Sequence, residues 1–586
     1  MGRTSKNIKL RTPEKPRKIK GFRSGSYRVA TTISSQGRYN HFDTTPYELA
    51  LVLYQQARAK SRGFLRKSRE CFLGRGKSEE KLRISAAKEV CTDGALFVET
   101  CPKFPLQIPI FGAIVGRRRE LARQEFKTGG LIAMRYDLRD MTRGNLWKQI
   151  LVFSLPLMAS NLLQVLFNMS DIAVVGQFAG SHALGSVGST ATLAALYSGF
   201  LIGMGAGVNV LTARFIGARE EENTRQTVHT AAVVCLGLGM ILMALCFTLA
   251  RPLLTLLGTK DELIDGAILY LRIYAFGLPA MALYNFGSAV LTATGDTKRP
   301  LLFLSIAGGL NICLNLFFVI VCKMAADGVA LATIISQYTS AALVLRVLLR
   351  AQESYRLELK NFVFSGEKAQ RILALGVASG MQHAIFAIAN LFIQSAVNSF
   401  SAAVVEGNSA AANADSLVYE VMAAPYTACS TFISQNYGAR NKKRIMQAYR
   451  VSLVYSFGVG AVLGLALMFF GGGFLRIFTP DPEVIAAGME KLQIMGWSYA
   501  FSAFMDNTLA ASRGLGKSAV PMAIVILGSC VFRVIWVYTI FAMFHTLTAL
   551  YLLYIFSWSL TAIGQMVYFF RTYQKQTDGW EVPQTA

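Results

Sequence analysis

The sequence predicts an all-α integral membrane protein, with twelve transmembrane helices in two pseudo-symmetric six-helix lobes. Three observations carry that prediction. Apolar runs, most of them 20 residues or longer, recur from Leu146 onward; a helix needs about 20 such residues to cross a hydrocarbon core roughly 30 Å thick. Lys and Arg concentrate in every second loop, as the positive-inside rule requires of a multi-pass chain. The halves also repeat: Gly217-Ala218-Arg219 returns 221 residues later as Gly438-Ala439-Arg440, Leu271 and Ile273 as Leu492 and Ile494, Gly295 as Gly516, and Pro300 as Pro521. Six spans per half in the same sense imply a pseudo-two-fold axis along the membrane normal and a central cavity between lobes, which is transporter architecture.

Taken in order, the first half reads as spans 146–178, 187–213, 228–250, 265–293, 299–321 and 327–350, forming an N-lobe over 134–350. A cytoplasmic linker, 351–367, follows. The second half reads as spans 368–400, 408–434, 445–470, 485–511, 519–542 and 546–570, a C-lobe over 368–572 ahead of a cytoplasmic tail at 573–586. One set of loops carries Arg214, Arg219 and Arg225, then Lys298 and Arg299, Arg346 through Arg371, Arg440 with Lys442 to Arg444, and Arg513 with Lys517. The alternate set carries mainly Arg251, Lys260, Lys323, Arg476 and Lys491, mixed with acids. The basic set therefore faces the cytoplasm of a cell (inner or plasma) membrane protein, with both termini inside. Gly199, Gly203 and Gly207, spaced by four, read as a close helix-packing stripe.

Composition supports the membrane reading and removes rivals. The 586 residues are 53% hydrophobic and only 16% charged, against about 25% charged in soluble domains. The net charge of +25 suggests a nucleic-acid partner until it is divided. Residues 1–140 hold 30 Lys and Arg against 13 Asp and Glu, and the remaining 446 hold 29 against 21, so the long body is nearly neutral and no nucleic acid is expected as a partner. The nine cysteines form no CxxC or zinc spacing, and no HExxH, Walker loop or nucleophile elbow occurs. No enzyme and no cofactor is expected. The basic stretch 1–133 reads as a disordered or spurious N-terminal extension, with Met134 as the start: Gly129-Gly130 fit a purine-rich ribosome-binding sequence just upstream. A basic cytoplasmic tail and a small folded domain are the alternatives for it.

Polar residues inside the spans mark the candidate sites. An acid mid-membrane costs about 2.5–3.5 kcal/mol on insertion scales. Asp171 lies deep in the first span, and Gln164, Asn168 and Asp171 share one helical face. A carboxyl in such a low-dielectric site is a candidate for loading and releasing a proton, with a structural carboxylate as the alternative. Pro156 removes a backbone hydrogen bond and is a candidate hinge. Asn311 and Asn315 form an i,i+4 pair in span five, and Thr333 lies in span six. Gln382, Asp415, Glu420, Asp506 and Arg533 sit within or near apolar runs of the second half, and Asp415 or Glu420 is the natural partner for Arg533.

These stretches make the body resemble the multidrug and toxic compound extrusion (MATE) family, particularly its Firmicutes-type branch. The matching segments include DMTRG (140–144), FSLPLMASNLLQ (153–164), YNFGSAVLTATGDTKRPL (284–301), NICLNLFFVI (311–320), GVALATIISQ (328–337), GNSAAANADSLVY (407–419), TFISQNYGAR (431–440) and RVIWVYTIF (533–541). The resemblance implies the MATE fold and a secondary active antiporter that exports small organic, often cationic, compounds on a proton or sodium gradient. It implies Asp171 as the coupling-ion carboxylate, with Asn311, Asn315 and Thr333 around it. Gln164 matches a position near bound substrate, Pro156 matches a bend, and Asn285 falls within the resembling 284–301 stretch. The substrate cavity is expected to involve Gln164, Asn168, Asn285, Gln382, Asp415, Glu420, Asp506 and Arg533. Where many relatives carry a second acid in span five this chain has Asn315, which disfavours a two-carboxylate sodium site and favours single-proton exchange. A monomer in contact with membrane lipid is expected. The alternatives are a flippase for lipid-linked oligosaccharides of the same superfamily and a non-transporting membrane protein.

Overall fold

The structure, a computed structural model, describes residues 140–580. Residues 1–133, with the start expected at Met134, and the last six positions of the tail lie outside the described residues. Within them the chain forms α1 (Leu146–Phe178), α2 (Ser181–Ala218), α3 (Glu221–Leu256), α4 in two segments (Asp261–Ala275 and Leu278–Ala293), α5 (Lys298–Val321) and α6 (Ala326–Arg350). The second half forms α7 (Gly366–Val397), α8 (Ala402–Gly438), α9 (Lys442–Leu475), α10 (Pro482–Gly514), α11 (Ala519–Phe544) and α12 (Leu547–Gln576). Every expected span is a helix, usually longer than its apolar run because caps extend it into the polar zone. Asn145, Asn441, Asp481 and Thr546 each accept a backbone N–H at a helix start. The linker is pinned over α3, where the Glu358 N–H donates to His229 Nε2 (3.0 Å) and Ser365 N–H to Thr230 Oγ1 (3.1 Å).

Nine of these helices are long and apolar enough to span by composition among the described residues, and the two α4 segments, bent by 45°, make a tenth. The remaining two, α8 and α10, are equally long but too polar. Their polar side chains are covered by neighbouring helices: Thr431, Ser434 and Asn436 on α8 and Ser498, Asn507 and Thr508 on α10 are fully buried. Several are bonded there, as where Asn507 Nδ2 donates to the Tyr449 carbonyl (3.3 Å) and Tyr449 and Thr508 hydroxyls pair (2.9 Å). A helix screened from lipid by its neighbours has no need of an apolar surface all round.

The repeat is written into the backbone. Arg219 and Arg440 are both left-handed at the ends of α2 and α8 (φ 59° and 54°), as are Gly295 and Gly516 after α4 and α10 (φ 90° and 80°). The lobes meet along α2 with α7 and α1 with α8, which are equivalent pairs under the repeat. Gly203 and Gly207 of the expected stripe allow the first contact: a Cβ on Gly203 would fall 2.3 Å from the Gly380 nitrogen, and one on Gly207 2.8 Å from the Gly376 nitrogen. At the basic-loop ends the crossing is reciprocal. A Cβ on Gly217 would lie 1.9 Å from the Gln435 carbonyl oxygen, and one on Gly438 2.0 Å from that of Arg214, residues themselves related by the repeat.

Further bonds close this seam. Thr431 donates to Asn209 Oδ1 (2.8 Å), Gln435 Nε2 to the Ala293 carbonyl (2.7 Å), and Arg214 Nη2 to the Leu515 carbonyl (3.2 Å). Arg444 of α9 latches the turn before α1, donating to the carbonyls of Met141 (2.9 Å), Arg143 (2.8 Å) and Gly144 (2.8 Å) and to Gln149 Oε1 (2.9 Å). Asn161 Nδ2 on α1 reaches the Glu420 carbonyl on α8 (2.9 Å). Apart from the Asn161–Glu420 bond, which lies near the middle of both helices, these lobe-to-lobe bonds lie in the half of the bundle that carries the basic loops.

Candidate functional site

In the N-lobe, α1, α5 and α6 bring four of the expected residues together. Asn315 Nδ2 donates to Asp171 Oδ1 (2.5 Å) and to Asn311 Oδ1 (3.2 Å), and Asn311 Nδ2 donates to Thr333 Oγ1 (3.4 Å). Thr333 also lies beside the Asp171 carboxyl. The i,i+4 spacing puts both asparagines on one face of α5. Gly308, one turn earlier, admits the Phe167 ring of α1 where a Cβ would sit 1.9 Å from it, so α1 can approach closely. Asn315 is fully buried, and its Oδ1 is without a hydrogen-bond partner among the described residues. The site is thus one carboxylate surrounded by neutral oxygens and amide donors. Along the same face of α1, Gln164 is half-buried and Asn168 exposed.

Pro156 lies within an uninterrupted α1, where Ser160 Oγ donates back to the Pro156 carbonyl (2.9 Å). Such back-bonding together with the missing proline N–H weakens the helix against bending. Asn285 stands apart: its Nδ2 donates to the Met281 carbonyl of its own helix (3.0 Å), and it lies where α4 crosses α2 at Gly205.

The C-lobe residues divide into two groups. Asp415 of α8 is ion-paired with Lys491 of α10 (2.8 Å) and accepts the Tyr499 hydroxyl. Lys491 also reaches the Asn408 carbonyl (3.5 Å), whose side chain accepts from Tyr551 (3.3 Å). Two sequence readings are corrected here. Lys491 is no loop residue but is buried inside α10, and Asp415, committed to it, is not the partner of Arg533. Only the facing of α8 and α10 reveals the pair.

The second group gathers Gln382, Asp506, Arg513 and Arg533. Arg513, read from the sequence as a loop cation, is in the last turn of α10 and donates to Gln382 Oε1. Asp506, buried on the same helix, lies within electrostatic reach of both Arg513 and Arg533. Glu420 does not pair with Arg533 either; its backbone carbonyl accepts from Asn161. Arg533 is instead bonded to neutral oxygens, Ser557 Oγ and Asn390 Oδ1, both at 3.4 Å.

A two-lobed bundle of twelve helices, with polar residues concentrated inside each lobe, defines a multi-pass membrane transporter. The sequence profile of the MatE family matches twice, over residues 156–317 and 378–539. The chain belongs to that family. It is 30% identical over 368 residues to "Probable multidrug resistance protein YpnP" of Bacillus subtilis (strain 168), covering 62% of this chain and 81% of that one. To "Probable multidrug resistance protein NorM" of Thermotoga maritima it is 26% identical over 383 residues, 64% and 82% of the two chains. Among solved structures it superimposes, with a TM-score of 0.70 and 23% identity, on "Outward-facing conformation of a multidrug resistance MATE family transporter of the MOP superfamily", covering 74% of this chain and 98% of that chain.

Proposed function

We propose that this chain is a proton-driven antiporter that exports small organic compounds across the cell membrane by alternating access between its lobes. The observation that carries the reading is the Asp171–Asn315–Asn311–Thr333 network, a single half-buried carboxylate at one end of a hydrogen-bonded chain that links three helices of one lobe. Protonation removes the Asp171 charge and turns an acceptor of the Asn315 amide into a group that can donate. The bond between α1 and α5 then has a different preferred geometry, and α1, already weakened at Pro156, repacks and lowers substrate affinity. Loss of the proton on the other side of the membrane resets the network. With both termini and the basic loops cytoplasmic, the closed seam is the inner gate and the arrangement described is outward-facing.

The energetics are adequate. One proton moving down one pH unit supplies about 1.4 kcal/mol, and about 2.3 kcal/mol more per 100 mV. Together these support roughly 10²–10³-fold accumulation at one proton per substrate. One carboxylate suffices to take up and release one proton, and Asn315 stands where a second acid would make a two-carboxylate sodium site.

Efflux of ethidium from proteoliposomes, under separate proton and sodium gradients, tests the reading. Asp171→Asn is expected to insert normally and to lose efflux driven by a pH gradient. Undiminished proton-driven efflux in that variant would overturn the mechanism, and efflux driven by sodium alone would overturn the choice of ion.

A further inference from the structure

The repeat assigns Arg533 a counterpart in the other lobe. The second family match begins and ends 222 residues after the first, and the left-handed residues Lys323 and His545, at the ends of α5 and α11, keep the same offset. By that offset Arg533 on α11 stands where α5 has Asn311, and Asn390 on α7 stands where α1 has Asn168. The position of Asp171 falls on Ile393. One lobe therefore has a carboxylate held by amides, and the other has a guanidinium at the equivalent place with no carboxylate on the equivalent helix position. The two sites have opposite polarity.

The surroundings of Arg533 are those of an anion receptor. It is 2% exposed, yet its two hydrogen bonds run to neutral oxygens at 3.4 Å, the long end of the range, leaving most of its five N–H donors uncommitted to a protein acceptor. No carboxylate lies within ion-pair distance of it among the described residues; Asp506 acts on it from farther off and is shared with Arg513, so one negative charge faces two positive ones. Aromatic rings surround the guanidinium, with Tyr554 at 4.6 Å, Phe386 at 5.6 Å and Trp558 at 5.9 Å from ring centroid to guanidinium carbon. Arg533 also sits between two π-helical stretches of α11, Ile526–Val531 and Val537–Phe541, a local widening of the helix that recurs at functional sites. A buried cation so poorly compensated is costly unless something completes its coordination.

We propose that Arg533, with Asn390, Ser557, Phe386, Tyr554 and Trp558, forms a subsite for an organic anion that carries an aromatic ring. Its carboxylate, sulfonate or phosphate group docks on the guanidinium fork, and its ring packs against the aromatic side chains. This rests on the transporter reading above and names a class of cargo for it: aromatic anions or zwitterions, bound in the lobe opposite the Asp171 site. An anion there compensates Arg533 and leaves Asp171 free for the proton.

The test uses the purified full-length chain in detergent and two fluorescent probes, fluorescein as an aromatic dianion and ethidium as an aromatic cation, with binding read by anisotropy. Wild type is expected to bind fluorescein saturably. Arg533→Gln should lower the ratio of fluorescein to ethidium affinity by about tenfold or more, the cost of one charged hydrogen-bond donor pair. Arg533→Lys keeps the charge but loses the fork, and should lower the ratio by about threefold. If Arg533→Gln does not stay monodisperse, Arg533→Lys carries the test. An unchanged ratio in a folded variant, or a parallel loss of both probes, overturns the subsite. So does an absence of saturable fluorescein binding to wild type, whatever ethidium does. Failure of wild-type vesicles to export any compound, with fluorescein binding intact, counts against the transport reading alone.

Discussion

One methyl group at Gly217 should open the seam between the lobes. In Gly217→Ala the new Cβ would lie 1.9 Å from the Gln435 carbonyl oxygen and 2.6 Å from the Gln435 Cα and carbonyl carbon, where ordinary contact begins near 3.4 Å. All three are backbone atoms of α8, so no rotamer change relieves the clash, and α2 and α8 must separate by more than 1 Å (~1.5 Å if the helices move as rigid bodies). Overpacking of this kind costs about 1–3 kcal/mol. The cost falls only on the state in which the seam is closed, so it shifts the equilibrium toward the open seam by about 5- to 150-fold. Spin labels at exposed Glu220 and Lys443, in a background with the nine cysteines replaced, read the separation by double electron–electron resonance. Gly217→Ala is expected to transfer population to longer distances, and Gly438→Ala, its repeat counterpart, to do the same. Gly237→Ala on α3 is the control, because nothing lies within 4 Å of its added Cβ. An unchanged distance distribution in a folded Gly217→Ala would refute the claim that backbone contact at this crossing sets the closed seam.

Other outcomes follow from named contacts. Lys491→Met leaves Asp415 without its cation and should destabilise the chain by about 3 kcal/mol, the lower end for a broken buried pair, since the Asp415 side chain retains 26% exposure. Lys491→Met with Asp415→Leu should recover most of that loss, measured by thermal unfolding in detergent. Arg444→Ala removes three bonds from α9 to the turn before α1 and one to Gln149 of α1, and should cost about 1–3 kcal/mol. In the same distance measurement it should also populate the open seam. Pro156→Ala restores a helical N–H donor to α1 and should slow proton-driven export while leaving unfolding temperature equal or higher.

Much of the fold was legible because lipid imposes a one-dimensional rule. A run of apolar residues is a span, and the positions of Lys and Arg order the loops. The members of the candidate N-lobe site stood out too, because Asp171, Asn311, Asn315 and Thr333 are polar residues in otherwise apolar runs and the i,i+4 spacing of the asparagines fixes their common face, but only the family resemblance placed the three around Asp171. The C-lobe was read less well. There α8 and α10 hide from lipid and tolerate polarity throughout, so a functional polar residue does not stand out from a packed one. Lys491 and Arg513 read from the sequence as loop cations because each lies near a helix end, whereas burial is decided by which neighbouring helices cover that end. Pairing between Asp415 and Lys491 depends on two helices meeting, and no spacing within either helix encodes it.

The same geometry explains why the repeat survives in some places and has been lost in others. Close to the pseudo-two-fold axis, α2 and α8 contact each other through equivalent residues: Gly217 meets Gln435, and Gly438 meets Arg214. A side chain added on either helix strains the one crossing they share, so both halves need glycine there and Gly-Ala-Arg stands at both ends. Gly516 adds to this, since its left-handed conformation carries the turn past the Arg214 guanidinium, where a Cβ would come within 3.3 Å. Away from the axis, the side-chain hydrogen bonds of Asn311 and Arg533 among the described residues each stay within their own lobe. Nothing in the crossing ties one to the other, so an amide network around an acid can occupy one lobe while a guanidinium among aromatic rings occupies the equivalent place in the other. A duplicated backbone with a shared, glycine-dependent seam therefore holds the two halves to one crossing, and leaves the chemistry inside each lobe free to diverge.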